Sequence, residues 1–407
     1  MSADPALLAR LRAVVRGIEA RAPRTASWGA PAASAPTARV AAGAPWLATR
    51  ETAAGPCGYR EVRSALAAPA VDGALLALLA PGERVSAGPL LFLDIETTGL
   101  GGAGAIAFVV ATARIEAGAC VLRQYVARTP AEEAGVLEAL CADAAVHEQP
   151  TLVTYNGRTF DAPMLDARAT LHRRRAGFEA LPQLDLLAPV RTMYRGMLPS
   201  CRLRDVETHL LGLTRPDDDA SGAEAPRWYF QYLRSRDERD VRPVLEHNER
   251  DVHSLVVLLA RLATLVRDAS APPTAIDALA LGRLFARRGE HARAELALER
   301  ATALLAPSFT RDEALWRLAR AYKRSGRRDR AEPLWRELAE RRGSLPAHVE
   351  LAIYYEHHAR DVGRASAATE RALGIASALV HGGARIDALT VRRARLRRKH
   401  AAATVDV

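Results

Sequence analysis

Cysteine is scarce in this chain: Cys57, Cys120, Cys141 and Cys201 stand far apart, with no CxxC pair among them. That spacing points away from a zinc cluster or a disulfide framework and toward reduced thiols. No run of eighteen or more apolar residues occurs, and the opening MSADPALLARLRAVVRG lacks the apolar core and small-residue cleavage site of a secretory signal. A cytoplasmic protein without a membrane partner is therefore expected. The glycine-rich run at Gly101, Gly102, Ala103 and Gly104 lacks the Lys and Ser/Thr of a phosphate-binding P-loop and precedes a predicted strand, not a helix. It is not read as a nucleotide loop.

What is present begins with length and charge. A chain of 407 residues exceeds what one core usually sustains, so two domains are expected. A formal charge of +10 suits a polyanion, because cations that neutralise phosphates gain affinity by releasing counterions. A biased, Ala- and Arg-rich composition is a second source of the same charge.

Residues 3–20 have the spacing of an amphipathic helix, and 21–56 form an Ala/Pro/Gly/Ser/Thr-rich stretch with little periodicity. Residues 1–85 are accordingly read as a partly disordered lead-in. From about 88 the texture changes. PLLFLD, AIAFVVATARI and CVLRQYVA read as three strands with short connections, an antiparallel start. AEEAGVLEALCADA is helical, TLVTYN a strand, DAPMLDARATLHRRR a helix and LPQLDLL a strand, which implies parallel pairing on the same sheet. Helices follow at 202–212, 227–235 and 241–266. The expected architecture for 86–268 is an α/β mixed sheet of roughly five strands flanked by helices.

Beyond the Ser270-Ala-Pro-Pro-Thr linker the pattern is helical and repetitive. Gly282, Phe285, Gly289, Ala294, Leu298 and Ala301 recur 37 positions later as Ala319, Tyr322, Gly326, Ala331, Trp335 and Leu338, and a weaker third copy includes Ala352, Tyr355, Ala365 and Ala372. Small residues where helices touch and Gly at the turn suit a helix-turn-helix solenoid. The spacing resembles tetratricopeptide repeats over 274–380, which implies a protein partner, with a basic tail at 381–407.

The chemistry-bearing residues lie upstream. In LLFLDIETTGL, Asp94 and Glu96 stand at i and i+2 on a strand, hence on one face. Two acids so placed repel each other unless a cation intervenes, and oxygen-only ligands favour a hard ion such as Mg²⁺ or Mn²⁺. In TYNGRTFDAPML, Asp161 follows a strand, where capping the next helix is the competing explanation. In LEHNERDVHSLVVLL, His247 and Asp251 share a helix face at i, i+4. His253 lies about 200° around an ideal helix from Asp251 and is set aside.

In this order, DIETTG, NGRTFD and HNERD resemble the DEDD exonucleases of the ribonuclease H-like superfamily. FLDIETTGL, LVTYNGRTFDAPML, LDLLAPVRTMY, CRLRDVE and VLEHNERDVHSL look more closely like the YprB-type ribonuclease H-like domain family, over about residues 85–265. The resemblance implies a ribonuclease H-like fold and a 3′→5′ exonuclease acting on DNA or RNA. Asp94, Glu96, Asp161 and Asp251 would take the places that hold two divalent ions, one activating water and the other stabilising the leaving 3′ oxygen. His247 would be the general base or the group that orients water, while Asn248 could supply a ligand or a water contact. Thr97, Thr98, Gly99 and Leu100 would line the pocket for the terminal nucleotide, Leu100 wedging against a base, with Asn156 and Phe160 alongside. One departure stands out: His occupies the spacing at which one exonuclease subclass has Tyr, whereas another has His five residues before the last acid. A weakly active nucleic-acid-binding adaptor and an internally cutting nuclease therefore stay open. Basic stretches at His172 to Arg175, Arg202 to Arg204 and Arg392 to Lys399 are candidates for tracking a phosphate backbone.

Overall fold

The sheet begins earlier than the composition suggests, with two strands inside the expected lead-in, β1 (Ala48–Arg50) and β2 (Cys57–Ser64). The structure is a computed structural model and describes residues 46–405 apart from 67–70, 83–84, 86–87, 100–103, 147–148, 217–218, 220–221 and 379–382. The helix expected at 3–20, the rest of the lead-in before 46 and the wedge reading of Leu100 lie outside the described residues. Helix α1 (Gly73–Leu79), capped by the Asp72 carboxylate, follows β2.

The next three strands are the predicted ones: β3 (Leu90–Thr97), β4 (Ala107–Glu116) and β5 (Ala119–Val126), paired antiparallel in succession. Helix α2 (Glu133–Ala144) then leads to β6 (Thr151–Thr154), which runs parallel to β3 in the register Phe92↔Val153. Helix α3 (Asp161–Leu171) and β7 (Gln183–Asp185) extend the parallel edge. The sheet order is β1-β2-β5-β4-β3-β6-β7, so the count is seven strands where five were expected.

After the sheet come α4 (Leu187–Tyr194), α5 (Leu203–Val206), α6 (Ala225–Ser235) and the 30-residue α7 (Glu238–Arg267). Between α5 and α6 the chain makes one turn of π-helix, Glu207–Leu211. Helix α7 buries the predicted stripe of Val252, Leu255, Val256, Leu259 and Leu262 against Phe92, Ala111 and Ala113 of the sheet. Each fully buried branched side chain there contributes about 1.5–3 kcal/mol of transfer free energy. Phe92 shares its strand face with Asp94 and Glu96, since residues alternate sides. The helix that covers the core therefore also passes over the two acids.

The remainder is helical: α8 (Ala275–Arg287), α9 (His291–Leu304), α10 (Phe309–Arg324), α11 (Arg328–Arg342), α12 (Leu345–His357) and α13 (Val362–Ser377), each packed on its neighbours in sequence. At Gly282 a Cβ would stand 2.7 Å from Leu298, which explains a small residue at this helix contact. The stretch expected as a basic tail is instead the helix α14 (Gly383–Val405), with Leu389 and Leu396 buried. The junction at the linker is not an open hinge. Leu281, Leu284 and Phe285 of α8 belong to the same hydrophobic core as Leu258, Leu262 and Leu265 of α7.

Candidate metal centre

Strand β3 runs past β6: their pairing covers Leu90–Phe92, while β3 continues to Thr97. Asp94 and Glu96 thus emerge where β6 has left the sheet, at the carboxyl end of a parallel pair, a place where open α/β sheets form clefts. Asp161, the first residue of α3, accepts a hydrogen bond from the backbone of Ile95, between the two strand acids. Helix α7 supplies His247, Asn248 and Asp251 from above.

Direct contacts close the cluster. Asn248 Nδ2 donates to Asp94 Oδ2 at 2.7 Å. His247 Nε2 lies 3.8 Å from both Glu96 Oε1 and Asp251 Oδ2. Glu96, Asp161, His247 and Asn248 are all buried. Burial, reinforced by the charges of Asp251, Asp161 and Glu96, raises the Asp94 carboxyl well above its usual range. Burial also pushes Glu96 up to about 8, with His247 opposing and Asp251 and Asp161 adding to the rise. Asp161 is pushed up to about 7 by burial, against two backbone hydrogen bonds that favour its charge. Acids in this condition keep their protons near neutrality unless a cation compensates them.

The other predicted contacts are distributed unevenly. Thr97 is buried and donates through Oγ1 to Gly99 O at 2.8 Å, while Thr98 Oγ1 accepts from Ile106 N at 3.0 Å. Both hydroxyls therefore shape the turn after β3. Asn156 is exposed at φ 69°, its N–H donating to Asp185 Oδ1 at 2.8 Å, and Phe160 precedes α3 half-buried. His253 turns away toward Ser64 Oγ at 3.4 Å, as its helix position requires.

Several residues that sequence reasoning left without a role hold the cluster. Arg60 Nη1 donates to Gln124 Oε1 at 2.8 Å, and Gln124 Nε2 donates to Asn248 Oδ1 at 3.0 Å, which turns the Asn248 amide N–H group toward Asp94. Arg215, in the loop after the π-turn with its side chain 6% exposed, donates from Nε to Glu207 Oε2 and from Nη2 to Asp251 Oδ1, each at 2.5 Å. Burial works against its charge, but the bonds to Glu207 and Asp251 raise its pKa. Arg215 Nη1 lies 3.0 Å from His247 Nδ1, and Asp219 Oδ2 lies 3.2 Å from the same nitrogen. The guanidinium needs an accepting nitrogen and the carboxylate a donating one, so the neutral ring serves one of them at a time. Donation to Asp219 leaves the lone pair on Nε2, facing Glu96 and Asp251. Glu207 stood in the quoted motif CRLRDVE, but its partner Arg215 lies eight residues on in a loop without periodicity.

Comparison with known proteins agrees with this architecture. The family model of the RNase_H superfamily matches residues 91–263. The chain is 33% identical over 320 residues to the uncharacterized protein YprB of Bacillus subtilis (strain 168), covering 76% of this chain and 75% of that protein. The chain belongs to the YprB-type ribonuclease H-like family. This family's fold is a nuclease-type fold, and ribonuclease H-like proteins typically use divalent metals.

Whether this YprB-type cluster suits such ions is a question of donor kind and of spacing. In kind it fits: four carboxylates and an amide, hard oxygen donors, with Asp94, Glu96 and Asp161 raised by burial and by neighbouring negative charge. In spacing, no group of three or more His, Cys, Asp or Glu side chains among the described residues converges tightly enough to enclose an ion as it stands. The contacts give the reason, since Asn248 takes one oxygen of Asp94 and Arg215 one oxygen of Asp251. No described helix is long and apolar enough to cross a membrane.

Proposed function

We propose that this protein is a divalent-metal-dependent 3′→5′ exonuclease that hydrolyses phosphodiester bonds of DNA or RNA. Asp94, Glu96, Asp161 and Asp251, delivered by β3, α3 and α7, meet in one cluster, and burial with neighbouring negative charge drives the Asp94, Glu96 and Asp161 carboxyls up; that meeting carries the proposal. Two ions, Mg²⁺ or Mn²⁺, would be held by those four acids; when bound they supply Lewis acidity that activates water and stabilises charge on the leaving oxygen. The protein's own groups do the rest. Asn248, fixed through Gln124, orients Asp94. His247, in the tautomer that donates to Asp219, presents Nε2 to take the proton from the attacking water. Arg215 holds Asp251 and offsets negative charge before substrate arrives. Asn156 and the Thr97–Gly99 turn flank the position for the terminal nucleotide.

A second reading is favoured by one specific contact. With Asp251 engaged by Arg215, the fold also suits a nucleic-acid-binding adaptor of low turnover, its tetratricopeptide-like helical region binding a protein partner. Linear and circular single strands incubated with Mn²⁺ separate the possibilities. Cleavage confined to linear molecules supports the exonuclease, cutting of circles an internal nuclease, and binding without cleavage the adaptor.

A further inference from the structure

The sequence offers three basic stretches for a phosphate backbone, and ion pairing consumes much of two of them. His172 sits 2.8 Å from Glu133, and Arg174 pairs with Glu138. On α14, Arg392, Arg395 and Lys399 all converge on Glu356. The stretch at Arg202 is different. Its side chain lines a groove of about 630 Å³ together with Arg191, Arg195, Tyr155, Asn156 and Ser200. All three arginines are exposed, and no acidic residue lines the groove among the described residues. Asp205, near its rim, accepts from the Ser200 hydroxyl at 2.5 Å.

Three features make this groove a built surface continuous with the acid cluster. Asn156 lines it, and its N–H donates to Asp185 Oδ1 at 2.8 Å, a carboxylate whose charge acts on Asp161. Tyr155 Oη donates to Cys201 O at 2.7 Å, which ties the chain after β6 to the loop carrying Arg202. The helix that bears Arg191 is clamped from the helical region: Arg283 Nη1 of α8 donates to Met193 O at 3.0 Å and Arg195 O at 2.9 Å, and Tyr194 Oη donates to Asp277 Oδ1 at 2.9 Å.

We infer that this groove binds the sugar-phosphate backbone of a single-stranded nucleic acid whose 3′ end lies in the acid cluster, with Arg191, Arg195 and Arg202 contacting phosphates. The inference rests on the exonuclease reading for the direction of the strand, but not for the contact itself. Guanidinium forks match phosphate oxygens, and Tyr155 adds an aromatic wall of the kind that single-strand channels use. The volume falls in the range of small-ligand sites and suits about one or two extended nucleotides, not a duplex. The first helix of the helical region thereby acts as a brace for the substrate track.

The test measures fluorescence anisotropy of a labelled single-stranded oligothymidylate and oligouridylate with the full chain, in Ca²⁺, over a salt series. The proteins are wild type, R191Q/R195Q/R202Q, R191K/R195K/R202K and the distant exposed control R239Q, each checked for folding by its thermal melt. Expected are a Kd raised about tenfold or more in the Gln variant, a log–log salt slope shallower by about 2, and wild-type-like binding for R239Q. The Lys variant keeps most of the binding. Unchanged affinity in the Gln variant, weakened binding with an unchanged slope, or no binding by wild type overturns the inference. Cleavage by wild type in Mn²⁺, read separately, bears on the exonuclease reading; binding lost in the Gln variant without wild-type cleavage keeps the groove and removes the nuclease.

Discussion

Arg215 joins Glu207, Asp219, His247 and Asp251, and its deletion isolates the question of what a buried cation does in this site. Glu207 is 1% exposed, so Arg215→Met leaves a carboxylate buried without its partner. Breaking a buried pair from one side costs about 3–5 kcal/mol. Denaturant unfolding should show a loss of that order, and Glu207→Gln combined with Arg215→Met should cost less than the sum of the single changes. A loss below about 1 kcal/mol would mean that Arg215 is not the counter-charge of the cluster. The acids make a second prediction. Glu96 and Asp161, raised to about 8 and about 7, bind protons in the folded state that the unfolded chain has already released. Stability of the metal-free protein should therefore fall as pH climbs from about 5 to 8, because the folded state binds more protons throughout that window. Mn²⁺ should raise Tm more at pH 8 than at pH 6, where it must displace those protons. Equal Tm shifts at both values would detach the raised acids from ion binding. At this scale, the four acids and His247 stood in contiguous motifs and were legible. Arg60, Gln124 and Arg215 were not, because each acts through a partner far away in sequence.

Among the elements, β3 to β7, α2, α3 and α7 carried strong signals: apolar runs or helical spacing bounded by turns. β2 did not. Its inward positions are Gly58, Arg60, Val62 and Ser64, so only one of the four is an ordinary core residue and period-two patterning is lost. Arg60 is admitted because Gln124 Oε1 accepts a hydrogen bond from it, Glu249 supplies the opposite charge and the Trp46 ring centroid lies 4.1 Å from its guanidinium. Another packing constraint was equally silent. Gly135 on α2 faces the backbone at Gly55 and Pro56, and a Cβ there would come within 2.5 Å of Pro56 O. Gly135→Ala should destabilise the protein by about 1–3 kcal/mol despite alanine's better helix propensity, since a backbone carbonyl has to move. A thermal melt equal to or above wild type would show that the loop yields freely.

In the whole molecule, the sheet, α7 and the first helical pair share one core, while the +10 charge of the chain is spread unevenly. Ion pairs absorb much of the arginine on the helical region, and the cleft beside the acids keeps exposed guanidiniums. Sequence alone conveyed the ribonuclease H-like class and the helical character of the C-terminal part. It did not convey their common core, because the linker at 270–274 reads as a boundary by composition, whereas α8 docks back onto α7 through Leu281, Leu284 and Phe285. A basic surface leading to buried, mutually repelling acids is the arrangement on which the proposed chemistry depends. The most direct measurement is the product pattern from a 5′-labelled single strand incubated with Mn²⁺ and either wild type or Asp94→Ala. Expected are a ladder shortening progressively from the 3′ end with wild type and a rate at least about a hundredfold lower with Asp94→Ala. An intact strand with wild type, or an equal ladder from both proteins, would contradict it.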